Sequence, residues 1–335
     1  MRGDKILKHY LGPIQDDLDH PDVTDITINK PHEVFVRKSG VWIRKHVESF
    51  TLDLLDAMTI VIGQRTGREF DEGNPYVNST LPGGQRFQGV RSPGTHNGRI
   101  LWAIRRPPAV ARTMDDPDIE DLFSEVNTGT AQQMAKAACV ASAFRNREWP
   151  DVLRSARLNG LSIGVCGATG EGKSDVGRRL VQVYRPHIRM VTLETDDEIG
   201  EAGPINKAPV FYDDTSMSSG EALRIAKRLV PVEIVMQEVR GEEAWSLLLA
   251  LNSGHAGLTS WHANEGEEQE ALADMARDHA SAKSMEDGRL MEKIRRGFDV
   301  IAFARRTDHR NNESDKGFRI SSLRLMAAER EAADA

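Results

Sequence analysis

Residues 167–174 form a glycine-rich segment, GATGEGKS, that fits the pattern G-x-x-x-x-G-K-[ST] at every position. An apolar run, residues 161–166, precedes it, and the residues behind it place apolar side chains at helical spacing, namely Val176, Leu180 and Val183. The order strand, glycine loop, helix is typical of a phosphate-binding loop, in which backbone amides and the positive end of the helix dipole bind phosphate oxygens. These flanks disfavour the alternative, a glycine-rich turn that carries a Lys-Ser pair by chance.

This loop predicts a nucleotide site, with ATP and Mg²⁺ as the expected ligands. Lys173 is expected to reach the β- and γ-phosphates, and the Ser174 hydroxyl is expected to hold magnesium. The residues expected to bind the nucleotide are consecutive: Gly167, Ala168, Thr169, Gly170, Glu171, Gly172, Lys173, Ser174 and Asp175.

The composition is that of a soluble globular protein. Of the 335 residues, 39% are hydrophobic and 28% are charged, and this length favours about two domains. The net charge of −7 gives no general basic surface for nucleic acid or lipid, although local basic patches are compatible with it. The two cysteines, Cys139 and Cys166, lie in apolar stretches and are expected to be buried free thiols in a reducing compartment.

The sequence predicts no transmembrane segment. No run approaches the roughly 18–20 apolar residues that cross a bilayer, and the start of the chain lacks the apolar segment of a secretory signal. We therefore expect a cytoplasmic protein whose association with a membrane takes place through partners.

Residues 1–106 are predicted to form an α+β domain with an antiparallel sheet. Three segments alternate apolar and polar residues as strands do: 23–29, 33–37 and 41–47. Thr51 is a candidate N-cap for a helix that carries Leu55, Met58 and Ile62 on one face. Further strands are expected after Pro75 and at residues 100–104. A linker is predicted at about 107–120.

The remainder, residues 121–335, is predicted to be an α/β domain with a mostly parallel sheet. Apolar strand candidates alternate with helical stretches after the glycine loop, at residues 188–193, 232–236, 258–262 and 300–304. This alternation is typical of parallel strands that are covered by helices on both faces.

Glu238 is the candidate acid for hydrolysis. It ends the apolar segment 232–238, and ligands of parallel sheets collect beyond the carboxyl ends of the strands. There its carboxylate can face magnesium, directly or through water, or the attacking water. The alternative is that Glu238 is only the first solvated residue after a strand.

Four stretches carry a resemblance to a known family, and their order and spacing agree with it. They are residues 167–174, the acidic box 193–199, residues 237–244 and residues 252–264. N-terminal stretches agree as well: residues 23–29, 81–86 and 103–107. The chain resembles the hexameric ATPases of type II and type IV secretion, and most closely the type IV secretion and conjugal DNA-transfer branch. The resemblance implies a RecA-like C-terminal domain.

The resemblance also implies roles for residues near the nucleotide. Glu194 and Glu198 of the acidic box would help to arrange magnesium and water. His255 and His262 would sense the γ-phosphate and relay its loss. When the resemblance is left aside, a histidine such as His262 at a strand end is more often a hydrogen-bonded loop residue. A zinc site formed by the two histidines is a further alternative, but no cysteine or other third ligand accompanies them at a suitable spacing.

Arginines and partners are implied in the same way. Arg105 and Arg106 are candidates for nucleotide contacts from the N-terminal domain, with exposed charges at a strand end as the alternative. Arg240 is another candidate for reaching the neighbouring phosphates. Family members form ring hexamers, and the expected partners are inner-membrane secretion-channel components and other secretion ATPases, without sequence-specific nucleic acid.

Four positions depart from the pattern of the family. Glu171 brings a negative charge into the phosphate loop, and Asp175 follows Ser174 where the family prefers threonine. Thr195 replaces an acid of the acidic box, and Gln237 replaces the glycine before Glu238. We expect an ATPase that is active but slow.

Several alternatives stay open at this stage. A type II secretion motor is disfavoured because two separate cysteines cannot form a four-cysteine zinc module. A pilus motor is disfavoured by the order His262-Ala263-Asn264, where such motors usually continue with His-Thr. A nucleotide-gated scaffold with little hydrolysis is compatible with the departures, and a translocase that grips DNA itself is disfavoured by the acidic net charge.

Overall fold

The computed structural model describes residues 2–107, 128–213, 215–308, 310–312 and 315–326. The chain divides into two compact units. The first unit comprises residues 1–112, 187–197 and 204–231, and the second comprises residues 113–186, 198–203 and 232–335. The predicted linker at 107–120 lies, apart from Pro107, outside the described residues, so the domain boundaries stay a prediction.

The N-terminal part of the first unit consists of short helices packed on an antiparallel sheet. The helices are α1 (Arg2–Tyr10), a 3₁₀ turn (Gly12–Ile14), α2 (Gln15–Asp19) and α3 (Leu52–Gln64). The strands are β1 (Val23–Lys30), β2 (Glu33–Lys38), β3 (Val41–His46), β4 (Tyr76–Thr80), β5 (Arg86–Arg91) and β6 (Ile100–Arg105). They run in the order β3-β2-β1-β6-β5-β4, and all neighbouring strands of this sheet are antiparallel.

The apolar residues of β1 face the hydrophobic core of the first unit. Ile26 and Ile28 of β1 are fully buried, and they pack into a core with Leu55 and Ile62 of α3. Thr51 caps α3 because its hydroxyl accepts a hydrogen bond from the Leu54 amide at 3.3 Å. The strands and the helix predicted in this region are therefore confirmed.

Two more strands and one helix complete the first unit. The strands β8 (Met190–Glu194) and β9 (Lys207–Phe211) pair in parallel, and α7 (Ser219–Arg228) starts with a capping box between Ser218 and Glu221. The Phe211 amide donates to the Gly94 carbonyl at 3.0 Å, which attaches β9 to the loop before β6.

A buried arginine attaches β8 to β1. The guanidinium of Arg189 donates to Thr27 Oγ1 at 3.0 Å, to Asn29 Oδ1 at 2.8 Å and to Asn206 Oδ1 at 2.6 Å. Burial lowers the pKa of Arg189, because the charged form loses its hydration. Neutral oxygens thus replace water around this charge.

The second unit carries the parallel strands that the sequence predicted. Its strands are β7 (Ile163–Cys166), β10 (Glu233–Val239), β11 (Ala256–Trp261), β12 (Val300–Arg306) and β13 (Phe318–Leu325). They run in the order β13-β12-β7-β11-β10, and only the pairing of β12 with β13 is antiparallel. The predicted fold class, a mostly parallel α/β sheet together with an antiparallel α+β part, is confirmed.

Helices surround these strands in the described part of the second unit. They are α4 (Thr128–Arg145), α5 (Trp149–Asn159), α6 (Lys173–Val181), α8 (Glu243–Asn252), α9 (Glu268–Arg277), α10 (Ala280–Lys283) and α11 (Asp287–Gly297). Cys166 is buried at the end of β7, as expected, whereas Cys139 is exposed on α4. The prediction of a buried Cys139 is therefore wrong, because an apolar stretch of a helix has an outer face as well as an inner one.

A buried arginine on the helix before the glycine loop contacts both the strand that carries Glu238 and the end of the loop's own helix. Arg157 of α5 pairs with Glu233, the first residue of β10, and both side chains are almost completely buried. The Arg157 Nε also donates to the carbonyls of Leu180 at 3.0 Å and Val183 at 3.1 Å, at the end of α6. The pair therefore fixes α5, α6 and β10 relative to one another.

We predict that Arg157→Met destabilises the protein by about 3–5 kcal/mol, since it leaves the Glu233 carboxylate buried without its partner. The double variant Arg157→Met/Glu233→Leu removes both charges, and we expect it to recover most of that loss. Urea unfolding followed by circular dichroism measures both effects. Equal destabilisation of the single and double variants would show that the loss of stability does not come from the unpaired Glu233 carboxylate.

Candidate nucleotide-binding site

The glycine loop connects the end of β7 to the start of α6, as the sequence predicts. Cys166 ends the strand and Lys173 begins the helix. Gly170 and Gly172 have φ values of +78° and +90°, which favour glycine. Gly172 is the N-cap of α6 and offers no side chain to its first amides, so these amides can bind an anion.

Lys173 is almost buried, and its ammonium group is held by three acceptors. Nζ donates to the Gly167 carbonyl at 3.0 Å, to the Ala168 carbonyl at 3.1 Å and to Nδ1 of His262 at 3.0 Å. Burial lowers the pKa of Lys173, and the negative charge of Glu238 opposes that shift. The ammonium therefore lies inside the loop that the sequence assigned to phosphate.

Glu238 lies near the end of β10, and both of its carboxylate oxygens have partners. Oε1 is 2.7 Å from Nε2 of His262, and Oε2 accepts from the Arg240 guanidinium at 2.7 Å. Only 17% of the Glu238 side chain is exposed, compared with 65% for Arg240. Thus Lys173, His262, Glu238 and Arg240 form one continuous chain of hydrogen bonds.

The partners of His262 determine its tautomer. An ammonium group has donors only, so Nδ1 of His262 must accept the hydrogen bond from Lys173. The proton of the neutral ring is then on Nε2, where it donates to the carboxylate of Glu238. His262 thereby connects a cation on one side with an anion on the other.

The register of three parallel strands brings these groups together. Trp261 at the end of β11 pairs with Cys166 at the end of β7 and with Val239 at the end of β10. The glycine loop, His262 and Glu238 consequently project from the same edge of the sheet. The fully buried indole of Trp261 donates to the Glu268 carbonyl at 2.8 Å, which fixes the segment that follows His262.

Two supporting residues had no role in the sequence prediction. The buried carboxylate of Glu243 accepts from the Arg240 amide at 2.7 Å and the Gly241 amide at 3.1 Å, and it closes the turn after β10. The Ser260 hydroxyl donates to the Gln237 carbonyl at 2.7 Å and joins β11 to β10. An acid two residues after a glycine at a helix start was the available signal for Glu243.

Ser174 and Glu198 line the same small cavity. It has a volume of about 30 Å³ and is also lined by Lys173 and Gln237. Asp175 turns to Arg179, whose Nε donates to its carboxylate at 2.9 Å. Among the described residues, no group of three or more His, Cys, Asp or Glu side chains forms a metal cluster.

His255 is not brought to the loop within its own chain. It immediately precedes β11, whereas His262 immediately follows it, so the six residues of the strand separate them. His255 and His262 are thus seven residue steps apart, which at about 3.3 Å per residue is about 23 Å. The Nδ1 of His255 donates to the Ala250 carbonyl at 3.2 Å, at the opposite edge of the sheet.

Three predicted site residues belong to the first unit. Glu194 is buried, and its carboxylate accepts from the Thr192 hydroxyl at 2.6 Å. The Nε of Arg105 donates to Asp25 at 2.8 Å, while the Arg106 guanidinium donates to the Val23 carbonyl at 2.8 Å. Arg105 also lines a cavity of about 660 Å³ together with other cationic side chains, namely Arg68, Arg86, Lys227 and Arg228.

A family model described as type II/IV secretion system protein matches residues 130–301, which is about half of the chain. The chain belongs to this family. The match spans the glycine loop, the end of β10 and His262, so the secretion family inferred from the sequence motifs is confirmed.

Individual relatives cover more of the chain than the family model does. Protein VirB11 of Rhizobium radiobacter is 26% identical over 311 residues, which cover 90% of each protein. The type IV secretion system protein PtlH of Bordetella pertussis is 30% identical over 266 residues, which cover 77% of this chain and 76% of PtlH.

The fold also agrees with a solved structure of this family. The crystal structure of the VirB11 ATPase from the Brucella suis type IV secretion system, in complex with sulphate, matches with a TM-score of 0.89. The alignment covers 99% of this chain and 98% of that chain at 24% identity. In the described part of this chain, no helix has the length and apolar character that crossing a membrane requires.

We predict that His262→Gln and His262→Asn have different effects on turnover. The amide of glutamine can replace Nε2 as the donor to Glu238, whereas asparagine reaches only as far as Nδ1. A hydrogen bond to a charged group contributes about 1.5–3 kcal/mol, so kcat should fall about 10- to 100-fold further in the asparagine variant. Steady-state phosphate release measures the difference. Equal kcat values in the two variants would show that the Glu238 contact has no role.

Proposed function

We propose that this chain is an ATPase that drives transport by a type IV secretion system. The observation that carries the proposal is the hydrogen-bonded chain Lys173–His262–Glu238, which lies within one unit at the end of a phosphate-binding loop. Membership of the secretion family, and relatives that are type IV secretion proteins, support the system to which the activity belongs.

The phosphate loop supplies the binding half of the reaction. Amides of the loop and of the α6 N-terminus bind phosphate oxygens, and Lys173 adds a positive charge. Phosphate oxygens compete with the carbonyls of Gly167 and Ala168 for the Lys173 ammonium, since anionic acceptors form stronger hydrogen bonds than neutral ones do. When Lys173 moves to phosphate, the Nδ1 of His262 loses its donor.

Glu238 supplies the hydrolytic half. Its carboxylate accepts a proton from the attacking water and aligns that water with the γ-phosphate. Because His262 and Arg240 hold both carboxylate oxygens, the orientation of Glu238 is determined before water arrives. His262 is then the group through which a change at Lys173 reaches Glu238.

The donors at the loop also fit magnesium. Ser174 is exposed at the first turn of α6, and hydroxyl and carboxylate oxygens are the ligands that Mg²⁺ prefers. Ser174 would hold the ion, with Glu238 reached directly or through water. When it is bound, Mg²⁺ neutralises charge that develops on the phosphates. Glu198, on the same cavity as Ser174, would orient water around the ion.

The other predicted residues have less direct roles in this proposal. We place Glu194 with Glu198 as an acidic neighbour of the metal and Arg105 as a phosphate contact, supported by the cationic cavity around it. Arg106 donates to a backbone carbonyl and so stabilises the strand end that carries Arg105. We give it a secondary role in contacting the nucleotide. His255 reports on the phosphate only through β11, because it lies at the far end of that strand.

The proposal includes a ring of identical chains. We infer a homohexamer at the cytoplasmic face of the inner membrane that docks on secretion-channel components and on other secretion ATPases. Arg240 supports this arrangement, because its 65%-exposed side chain can reach the phosphates of a neighbouring chain.

A second function is favoured by one observation. Both carboxylate oxygens of Glu238 already accept hydrogen bonds, from His262 and Arg240, which leaves fewer lone pairs for the proton of an attacking water. A nucleotide-gated scaffold that binds ATP and turns over little is consistent with this arrangement. Steady-state phosphate release by the assembled protein separates the scaffold from the motor.

We predict that Glu238→Gln binds ATP but turns over about 10²- to 10⁴-fold more slowly, because an amide cannot accept the proton. Calorimetry with ATP and phosphate release measure the two effects. Lys173→Ala should lose binding as well. Glu292→Gln is the matched control, since Glu292 pairs with Arg296 on the exposed side of α11. Undiminished turnover in Glu238→Gln would remove Glu238 from the mechanism.

We predict that the purified protein assembles, in the presence of ATP and Mg²⁺, into particles six times the mass of the 37.2 kDa chain. Mass photometry with and without nucleotide measures this mass directly. A protein that stays monomeric under all nucleotide conditions would contradict the ring.

A further inference from the structure

Glu171 is the unusual residue of the phosphate loop, because it brings a negative charge to a site for anions. In the structure its carboxylate Oε2 accepts a hydrogen bond from the backbone amide of Arg306, at the end of β12. The charge is therefore engaged by the neighbouring β12–β13 hairpin, which comprises Val300–Arg306 and Phe318–Leu325.

The hairpin also contacts the loop on both sides of Glu171. An ideal Cβ at Gly167 would lie 2.4 Å from the Ala304 carbonyl oxygen, and one at Gly172 would lie 2.5 Å from the Phe318 ring. Both distances are too short for a side chain, so the backbone of the loop lies directly against the hairpin. The Glu171 contact is the central one of three along this interface.

The hairpin is stabilised by hydrogen bonds of its own. Arg306 pairs with Phe318 in register, and the Thr307 amide donates to the Gly317 carbonyl at 2.7 Å. Further hydrogen bonds to Asp315 close the end of the hairpin. Its carboxylate accepts from the backbone amides of Asn311 and Gly317, each at 2.8 Å, and from the Arg319 guanidinium at 2.6–2.9 Å.

The other side of the hairpin holds the segment that follows His262. The Ser321 hydroxyl donates to the carboxylate of Glu265 at 2.9 Å, and Arg324 pairs with the buried carboxylate of Glu268 at 2.9 Å. One hairpin thus contacts the phosphate loop and also the chain that positions His262.

We propose that Glu171 is a positioning residue that clamps the phosphate loop to the β12–β13 hairpin and thereby sets the affinity for the nucleotide. The inference rests on the proposed function, since it concerns the same loop. The carboxylate oxygen of Glu171 holds the turn between Gly170 and Gly172 in the conformation that directs the backbone amides of the loop at phosphate. The negative charge is incidental to this role.

The two roles of the side chain, acceptor and charge, can be separated by substitution. Glu171→Gln keeps an oxygen that accepts from the Arg306 amide and removes the charge, whereas Glu171→Ala removes both. If the oxygen matters, Glu171→Gln keeps the KM for ATP within about threefold of the wild type, and Glu171→Ala raises KM by about tenfold. Since the Glu171 carboxylate binds the Arg306 amide and is not part of the Lys173–His262–Glu238 chain, we expect the change in KM to exceed any change in kcat.

Any result in which the two variants change KM alike overturns the proposal. A lower KM in both would mean that the carboxylate repels phosphate, an equal rise would mean that the charge itself is needed, and no change would mean that the contact is idle. A parallel fall in kcat without a change in KM would overturn it as well.

Hydrogen exchange of the Arg306 amide, resolved by mass spectrometry without nucleotide, tests the clamp independently of activity. We expect protection in the wild type and in Glu171→Gln, and exchange faster by at least tenfold in Glu171→Ala. Unchanged protection in Glu171→Ala overturns the clamp. If the wild type binds no nucleotide, the proposed function fails, whereas the exchange result still decides whether Glu171 holds the hairpin.

Discussion

The shared carboxyl-terminal edge of three parallel strands is the constraint on which the site depends. β7 releases the chain into the phosphate loop, β10 ends beside Glu238 and β11 ends before His262. Parallel pairing in register places these ends side by side although they are far apart in sequence. At the opposite end of β10, Arg157 pairs with Glu233 and also donates to the Leu180 carbonyl near the end of the loop's helix. Arg157 therefore links β10 to that helix.

Within this edge, one imidazole ring connects Lys173, the proposed binding group, to Glu238, the proposed hydrolytic group. His262 accepts from Lys173 through Nδ1 and donates to Glu238 through Nε2, so a change in the bonding of the lysine alters the partner of the carboxylate. Such a connection needs a residue that is donor and acceptor at once, and neutral histidine provides both. In the proposed function, a chain of net charge −7 binds a polyanion here because loop amides and two cationic side chains, Lys173 and Arg240, lie close together.

The sequence was sufficient for features that local patterns encode, and insufficient for contacts between distant segments. Alternation predicted β1, apolar runs predicted β7 and β10, and helical spacing predicted α3. The loop motif made Lys173 a candidate for phosphate binding. The motif could not show that His255 and His262 lie at opposite ends of β11, because a resemblance assigns roles without distances. The strand β13 was missed, since its alternating pattern is weak and its pairing with β12 spans a long connection. The support given by Glu243 was not predicted, because its position at a helix start does not show which backbone amides its side chain binds.

Departures from a family pattern must be judged against the neighbours that the fold supplies. Glu171 places an acid in an anion site, yet an adjacent hairpin offers it a backbone donor. Gln237 replaces a glycine, and the Ser260 hydroxyl binds its carbonyl and keeps β10 paired beside Glu238. At Thr195 the hydroxyl lies 3.3 Å from the carboxylate of Asp196, a local contact that leaves the neighbouring acid in place. In the case of Glu171, the compensating group comes from another strand of the same sheet. Substitution at this edge is therefore constrained by contacts with neighbouring strands as well as by phosphate binding. For this reason a motif alone cannot distinguish a loop that has lost its function from one whose altered residue is accommodated by a new contact.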